Sequence, residues 1–209
     1  MLLHCVRHGE SLYNAEGRVQ GQSDVPLSDL GRRQGEAAAG ALAGLDIDAL
    51  YSSPLRRAIQ TAECVAARLG LEIRTDPRLK EVDAGVFQDK LRTDLAELYP
   101  EDLARWTSGD PDFTIPGGES RRALAQRGCQ ALEAIRQAGH ERVAVVSHGR
   151  LLVVTLEAMA DFPEGRSPES LQNGSITTLR FNADGRAHVE SINQVDHLAD
   201  VGTAGRSDL

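Results

Sequence analysis

Short apolar runs alternate with stretches of helical periodicity along this chain. Leu2 to Val6 has the length of a strand, and Arg142 to Val146 is a continuous apolar run without polar alternation, as expected of a strand covered on both faces. Ala49 to Tyr51 and Leu71 to Arg74 are shorter strand candidates. Between them, Ser28 predicts the N-cap of a helix running through Leu30, Ala38 and Leu42, and Ser52-Ser53-Pro54 predicts the opening of another that reaches Leu69 and stops at Gly70. Glu119 to Ala138 and Gly149 to Met159 read as two further helices. Ser175 to Phe181 and Ala187 to Ile192 flank Asn182-Ala183-Asp184-Gly185, which predicts a hairpin.

Strands separated by helices predict an α/β fold: a three-layer α/β/α sandwich on a mostly parallel central sheet, with one antiparallel hairpin added late. One domain over residues 1–199 is expected, followed by a fraying tail at 200–209. Two stretches break the alternation. His8 to Pro26 is polar and reads as a long loop of the kind that carries function. Residues 84–118 hold a short helix around Leu91 to Leu98, then Pro100, Trp106, Pro111 and Gly117-Gly118; this segment is expected to form a lid. Its Phe87, Trp106 and Phe113 are candidates for a substrate wall, although aromatic side chains more often fill a core.

Composition narrows the classes. A formal net charge of −8 over 209 residues argues against a nucleic-acid footprint, which needs an extended basic surface, but leaves room for a small phosphorylated ligand held by a local arginine cluster. No apolar stretch approaches the about 20 residues that a bilayer requires, and Leu2 to Val6 is too short for a signal-peptide core, so a cytoplasmic protein without a membrane partner is expected. Cys5, Cys64 and Cys129 form no C-x-x-C pair and suggest reduced thiols rather than disulfides or structural zinc. His4 and His8 are four apart, but in a strand that spacing separates them by about 13 Å, so they do not chelate a metal together. Oligomeric state is left open, a homodimer being one outcome.

The chemistry concentrates at strand ends. Arg7-His8-Gly9-Glu10 follows the first strand directly, and Ser147-His148-Gly149 follows the central one, so two histidines are delivered to one sheet edge. That pairing suggests phosphoryl transfer, which needs a nucleophile, a cationic cradle and an acid for the leaving oxygen. His8 is the candidate nucleophile, with Gly9 allowing close backbone approach and positive φ. An isolated Arg-His-Gly would be read more simply as a surface pair at a strand end.

Four ordered blocks remove that simpler reading: Arg7-His8-Gly9-Glu10-Ser11 with Asn14; Ser53-Pro54-Leu55-Arg56-Arg57-Ala58-Ile59-Gln60-Thr61-Ala62; Leu79-Lys80-Glu81 with Gly85; and Ser147-His148-Gly149. Together with Gly21 to Leu27 and Pro116-Gly117-Gly118-Glu119-Ser120 they resemble the histidine phosphatase superfamily, also called phosphoglycerate-mutase-like, over nearly the whole chain. The resemblance implies His8 as the phosphorylated residue, with Arg7, Arg57 and His148 around the phosphoryl group. It implies Glu81 as acid and then base, with Asp83 as the nearby competitor. Arg57 is preferred to Arg56 because the family's arginine immediately precedes the alanine of its R-A-x-x-T-A block. Asn14, Gln20, Gly21, Gly149 and Asn173 are the expected substrate-binding set, although turn chemistry alone explains a loop asparagine. No metal or other cofactor is expected.

Phosphatases and mutases of this family share the phosphohistidine. The chain resembles the short phosphatase branch, because the mutase-type insertion after the acid-bearing loop is missing and Gly85 leads through Phe87-Gln88-Asp89 to a short helix. Family members often have tryptophan, glutamate and glycine there, so the pocket wall departs from the usual pattern. The expected activity is a phosphomonoesterase for a small metabolite. A cofactor-dependent phosphoglycerate mutase is the alternative, and a non-catalytic phospholigand-binding protein the less favoured one.

Overall fold

The computed structural model describes residues 1–162, 170–182 and 184–202. Among the described residues seven strands form one sheet: β1 (Leu2–Arg7), β2 (Ala49–Ser52), β3 (Ile73–Thr75), β4 (Arg142–Ser147), β5 (Ala160–Asp161), β6 (Ile176–Phe181) and β7 (Ala187–Gln194), in the order β3-β2-β4-β1-β6-β7-β5. The pairs among β3, β2, β4 and β1 are parallel, whereas β1 with β6 and β6 with β7 are antiparallel. The expected mostly parallel sheet with a late hairpin is therefore present. The two-residue β5, which pairs with β7, is too short to leave a periodic signal.

Helices cover both faces, as the unbroken apolar run of β4 demands. On one side, α2 (Asp29–Leu42) and α3 (Arg56–Leu69) place Ala38, Leu42, Ala58, Ala62 and Val65 against Val6, Leu50, Ala144 and Val146. On the other, α6 (Arg121–Gln137) and α7 (Gly149–Met159) bury Leu124, Leu132, Ile135 and Leu152 against Leu3, Cys5, Val143 and Val145. Successive β4 residues thus serve opposite cores, the period-two consequence of the pleat.

Several local expectations change. The loop after His8 contains a one-turn helix, α1 (Leu12–Glu16), whose capping box joins Ser11 and Asn14. Helix α3 does not start on a serine cap: Leu55 stands at its N-cap without a side-chain bond, and Arg56 N–H instead donates to Asp24 Oδ1 at 2.7 Å. Residues 84–118 form two short helices rather than one, α4 (Leu95–Leu98) and α5 (Pro100–Thr107). Their aromatic neighbours belong to the core, with Phe87, Trp106 and Phe113 all buried beside Leu124 and Leu151, which is why none of the three is a substrate wall. Part of the expected tail, residues 203–209, and Ala183 of the hairpin turn lie outside the described residues.

The first strand turns into the site through a glycine contact. A Cβ on Gly9 would stand 2.2 Å from the Gly31 carbonyl oxygen, and one on Gly31 would stand 1.9 Å from that of Glu10. Close packing on the start of α2, and not positive φ, is therefore what requires Gly9. Glu10 N–H donates to Gln34 Oε1 and Ser28 Oγ donates to the Glu10 carboxylate, so the same turn is tied to α2 by side chains.

Candidate active site

Adjacent parallel strands explain why the two histidines meet. Arg7 of β1 is in register with Ser147 of β4, and the next residue on each strand is a histidine, with ring centroids 5.1 Å apart. His8 and His148 are both essentially inaccessible to solvent. Arg57 enters from the first turn of α3 and is also fully buried.

The hydrogen bonds decide how His8 carries its proton. Arg57 Nε–H can only donate, and it reaches His8 Nε2 at 3.2 Å; that nitrogen must therefore present a lone pair. The proton sits on Nδ1 and is donated to the Gly9 carbonyl at 2.6 Å. Burial, followed by the positive charges of Arg57 and Arg7, holds the His8 pKa well below its ordinary value. His148 is lowered in the same way, by burial first and then by Arg57. Its Nε2 meets Ser53 Oγ at 2.7 Å, and its buried Nδ1 has no partner among the described residues.

Arg57 is fixed on three sides. Besides His8, its Nη atoms donate to the carbonyls of Ser23 and Gly21, each at 2.8 Å. These acceptors are neutral, and burial brings the guanidinium down to about 10 while the nearby Glu81 charge pulls it back up. A buried cation bonded to neutral groups leaves charge for an incoming anion to balance. Arg7 lies beside it, buried, and donates to the Leu171 carbonyl.

Glu81 approaches from the chain beyond β3. Its carboxylate accepts from Val82 N–H at 2.8 Å, Leu151 N–H at 3.0 Å and Arg150 N–H at 3.1 Å, so it caps the first turn of α7 just past His148. Asp83 is turned away: its carboxylate accepts from Gly85 N–H, and its own N–H donates to Glu119. Arg56 is exposed, unlike Arg57.

The expected substrate-binding set divides. Asn173 Nδ2 donates to the His8 carbonyl at 3.0 Å and to Asn14 Oδ1 at 3.2 Å, which places both asparagines beside His8. Asn14 Oδ1 also accepts from Ser11, and Ser11 Oγ donates to Gln20 Oε1 at 2.5 Å. These amide oxygens thus shape the loop. Gly21 contributes its carbonyl to Arg57, with φ of +50°, and Gly149 is the buried first residue of α7. Their visible work is positioning.

Three residues escaped the sequence reading. Ser53 holds His148, although Ser-Pro at a helix start suggested only a cap. Thr61 Oγ1 accepts from Gly9 N–H and donates to the Arg57 carbonyl, linking two of the motif blocks. Arg127 pairs with Glu119 at 2.6 Å and donates to the carbonyls of Arg78, Lys80 and Glu81, stapling the Glu81 loop to α6. Nothing in a lone helical arginine announces that role. No group of three metal-ligating side chains occurs among the described residues.

The chain is similar to known proteins over nearly its whole length. The chain is 36% identical over 202 residues to phosphoglycerate mutase-like protein 4 of Arabidopsis thaliana, covering 94% of this chain and 86% of that protein. It is also 36% identical over 208 residues to a probable phosphoglycerate mutase of Proteus mirabilis, covering 95% of each. Among solved structures, Bacillus stearothermophilus YhfR superposes with a TM-score of 0.86 at 28% identity, covering 94% of this chain and 98% of that one. A mycobacterial glucosyl-3-phosphoglycerate phosphatase bound to VO3 superposes with a TM-score of 0.83 at 32% identity, covering 92% and 98%. With residues 3–194 matching the family's own sequence pattern, the chain belongs to the histidine phosphatase superfamily (branch 1).

Proposed function

We propose that the protein is a phosphomonoesterase that passes the phosphoryl group of a small metabolite through His8 to water. The observation that carries this reading is the tautomer of His8: a buried, neutral imidazole with its Nε2 lone pair held among Arg57 and Arg7. In the first step the Nε2 lone pair forms the N–P bond, the ester P–O bond breaks, and Glu81 gives a proton to the departing oxygen. In the second, the Glu81 carboxylate takes a proton from water as that water attacks phosphorus, and the N–P bond returns its electrons to His8. Arg57, Arg7 and His148 surround the equatorial oxygens, where charge accumulates. The 84–118 segment would cover the leaving group, anchored by its buried Trp106 and Phe113.

A mutase is the second reading, favoured by the name of the Proteus mirabilis relative, a probable phosphoglycerate mutase. The alignment leaves little of either chain unmatched, so that name does not bring a large inserted segment with it. Incubating purified protein with 3-phosphoglycerate, with and without a bisphosphoglycerate primer, separates the two. Free phosphate released faster than 2-phosphoglycerate forms supports the phosphatase; primer-dependent interconversion with little phosphate supports the mutase.

A further inference from the structure

Ser53 stands between β2 and α3 and is fully buried. Its hydroxyl has two neighbours among the described residues: Leu55 N–H donates to Oγ at 3.3 Å, and His148 Nε2 lies 2.7 Å from it. A buried hydroxyl carries one proton and needs an acceptor for it. The Leu55 amide can only donate, so the imidazole nitrogen is the acceptor. The opposite arrangement, with Nε2–H donating to Oγ, would leave the hydroxyl proton without an acceptor in a dry setting.

That bond decides the state of the other ring nitrogen. Burial first, and then Arg57, hold the His148 pKa well below its ordinary value, so the ring is neutral, with a proton on one nitrogen and a lone pair on the other. With Nε2 accepting from Ser53, the proton is on Nδ1. This Nδ1–H is buried and has no partner among the described residues. His8, whose ring centroid is 5.1 Å away, is arranged the other way round: its Nδ1–H is given to the Gly9 carbonyl, and its Nε2 presents the lone pair.

A buried N–H without a partner, next to the nucleophile, calls for an acceptor that the reaction brings. The oxygens of a phosphomonoester dianion only accept, so a lone pair on Nδ1 would repel them and an N–H attracts them. We infer that Ser53 is a positioning residue for phosphoryl transfer: by donating to His148 Nε2 it holds the proton on Nδ1 and makes that histidine a hydrogen-bond donor to a phosphoryl oxygen. The inference rests on the phosphatase reading given above and deepens it. Ser53 acts through His148 and needs no contact of its own with the substrate.

Nitrogen-15 spectra of histidine-labelled protein test it, with His148→Asn identifying the His148 signals. Above neutral pH the wild type should show Nδ1 at the shift of a protonated ring nitrogen and Nε2 at that of an unprotonated one. Ser53→Ala should move both shifts toward the other tautomer. It should also weaken the binding of inorganic phosphate, measured by calorimetry, and lower kcat on p-nitrophenyl phosphate, each about ten- to a hundredfold, as losing one hydrogen bond to a charged group would. Ser53→Thr keeps the hydroxyl and should restore the wild-type spectrum and most of the rate. An unprotonated Nδ1 in the wild type would overturn the inference, and that spectrum decides whether or not the alanine variant folds. Unchanged phosphate affinity in Ser53→Ala would overturn it too, as would lost activity with the His148 tautomer unchanged, since Ser53 would then serve structure alone. Failure of the phosphatase reading looks different: wild-type protein would release no phosphate from any ester while His148 kept its Nδ1–H.

Discussion

Arg57 Nε–H points at His8 Nε2 across 3.2 Å, so one side chain fixes the tautomer of the histidine and holds a buried positive charge beside it. Its other two bonds, to Ser23 and Gly21 carbonyls, leave it little room to move. Replacing it by lysine keeps a charge but can satisfy neither the fork nor the His8 contact together. Arg57→Lys is expected to lower kcat at least about a hundredfold, an effect the size of removing one preorganised donor. Steady-state rates on a generic phosphomonoester check this, and near-normal turnover would show that the fork is dispensable.

Glu81 makes a prediction that depends on the substrate. Protonating the leaving oxygen matters for an alkoxide and hardly at all for a nitrophenolate. Glu81→Gln should lower kcat/KM for an alkyl phosphate about 10²–10⁴-fold, the usual contribution of general acid catalysis, and for p-nitrophenyl phosphate much less. Equal losses on both would assign Glu81 to capping α7, where it accepts from Arg150 and Leu151, rather than to proton transfer.

The two buried histidines also set a pH dependence. Both have native pKa values well below 6.5, while the unfolded chain regains the ordinary value. Above pH 6.5 each is neutral in both states and its contribution is complete. As pH falls from 6.5 toward the native pKa values, only the unfolded chain takes up protons, and stability is lost at up to about 1.4 kcal/mol per pH unit for each histidine. Urea titrations between pH 7.5 and 5 should show this slope, reduced when His148 is replaced by a residue that does not titrate. A flat profile would contradict buried, neutral histidines.

The contact between Gly9 and α2 is a stability prediction independent of catalysis. Either Gly9→Ala or Gly31→Ala would drive a methyl group into a backbone carbonyl, at 2.2 Å and 1.9 Å respectively, with no side chain able to swing aside. Each should cost about 1–3 kcal/mol or more, in the range of overpacked cores. Denaturant midpoints measure it; a wild-type midpoint for either variant would mean that the loop and helix are not in contact.

Much of this was legible because it followed from period and order. The apolar run of β4 and the turn residues after β6 needed no tertiary information, and the histidines followed from strand ends. What sequence could not give were contacts made by chance of folding across long separations. Ser53 reads as a cap until His148, 95 positions away, takes its hydroxyl. Asp24 caps α3 from a distant loop, which moved the helix start to Arg56. Asn14 reads as a ligand for phosphate, and its bonds to Ser11 and to Asn173 were not legible beside that reading, because the same amide chemistry serves either partner. Phe87, Trp106 and Phe113 fell to the core for the simple reason that their burial contributes most there.

The central claim is that His8 Nε2 carries the phosphoryl group between substrate and water. Rapid acid-free quenching during turnover, followed by peptide mapping, should recover an acid-labile phosphate on His8 and none in His8→Ala, whose turnover falls by at least about three orders of magnitude. Turnover by wild-type protein with no phosphate ever trapped on His8, or undiminished activity in His8→Ala, would contradict it.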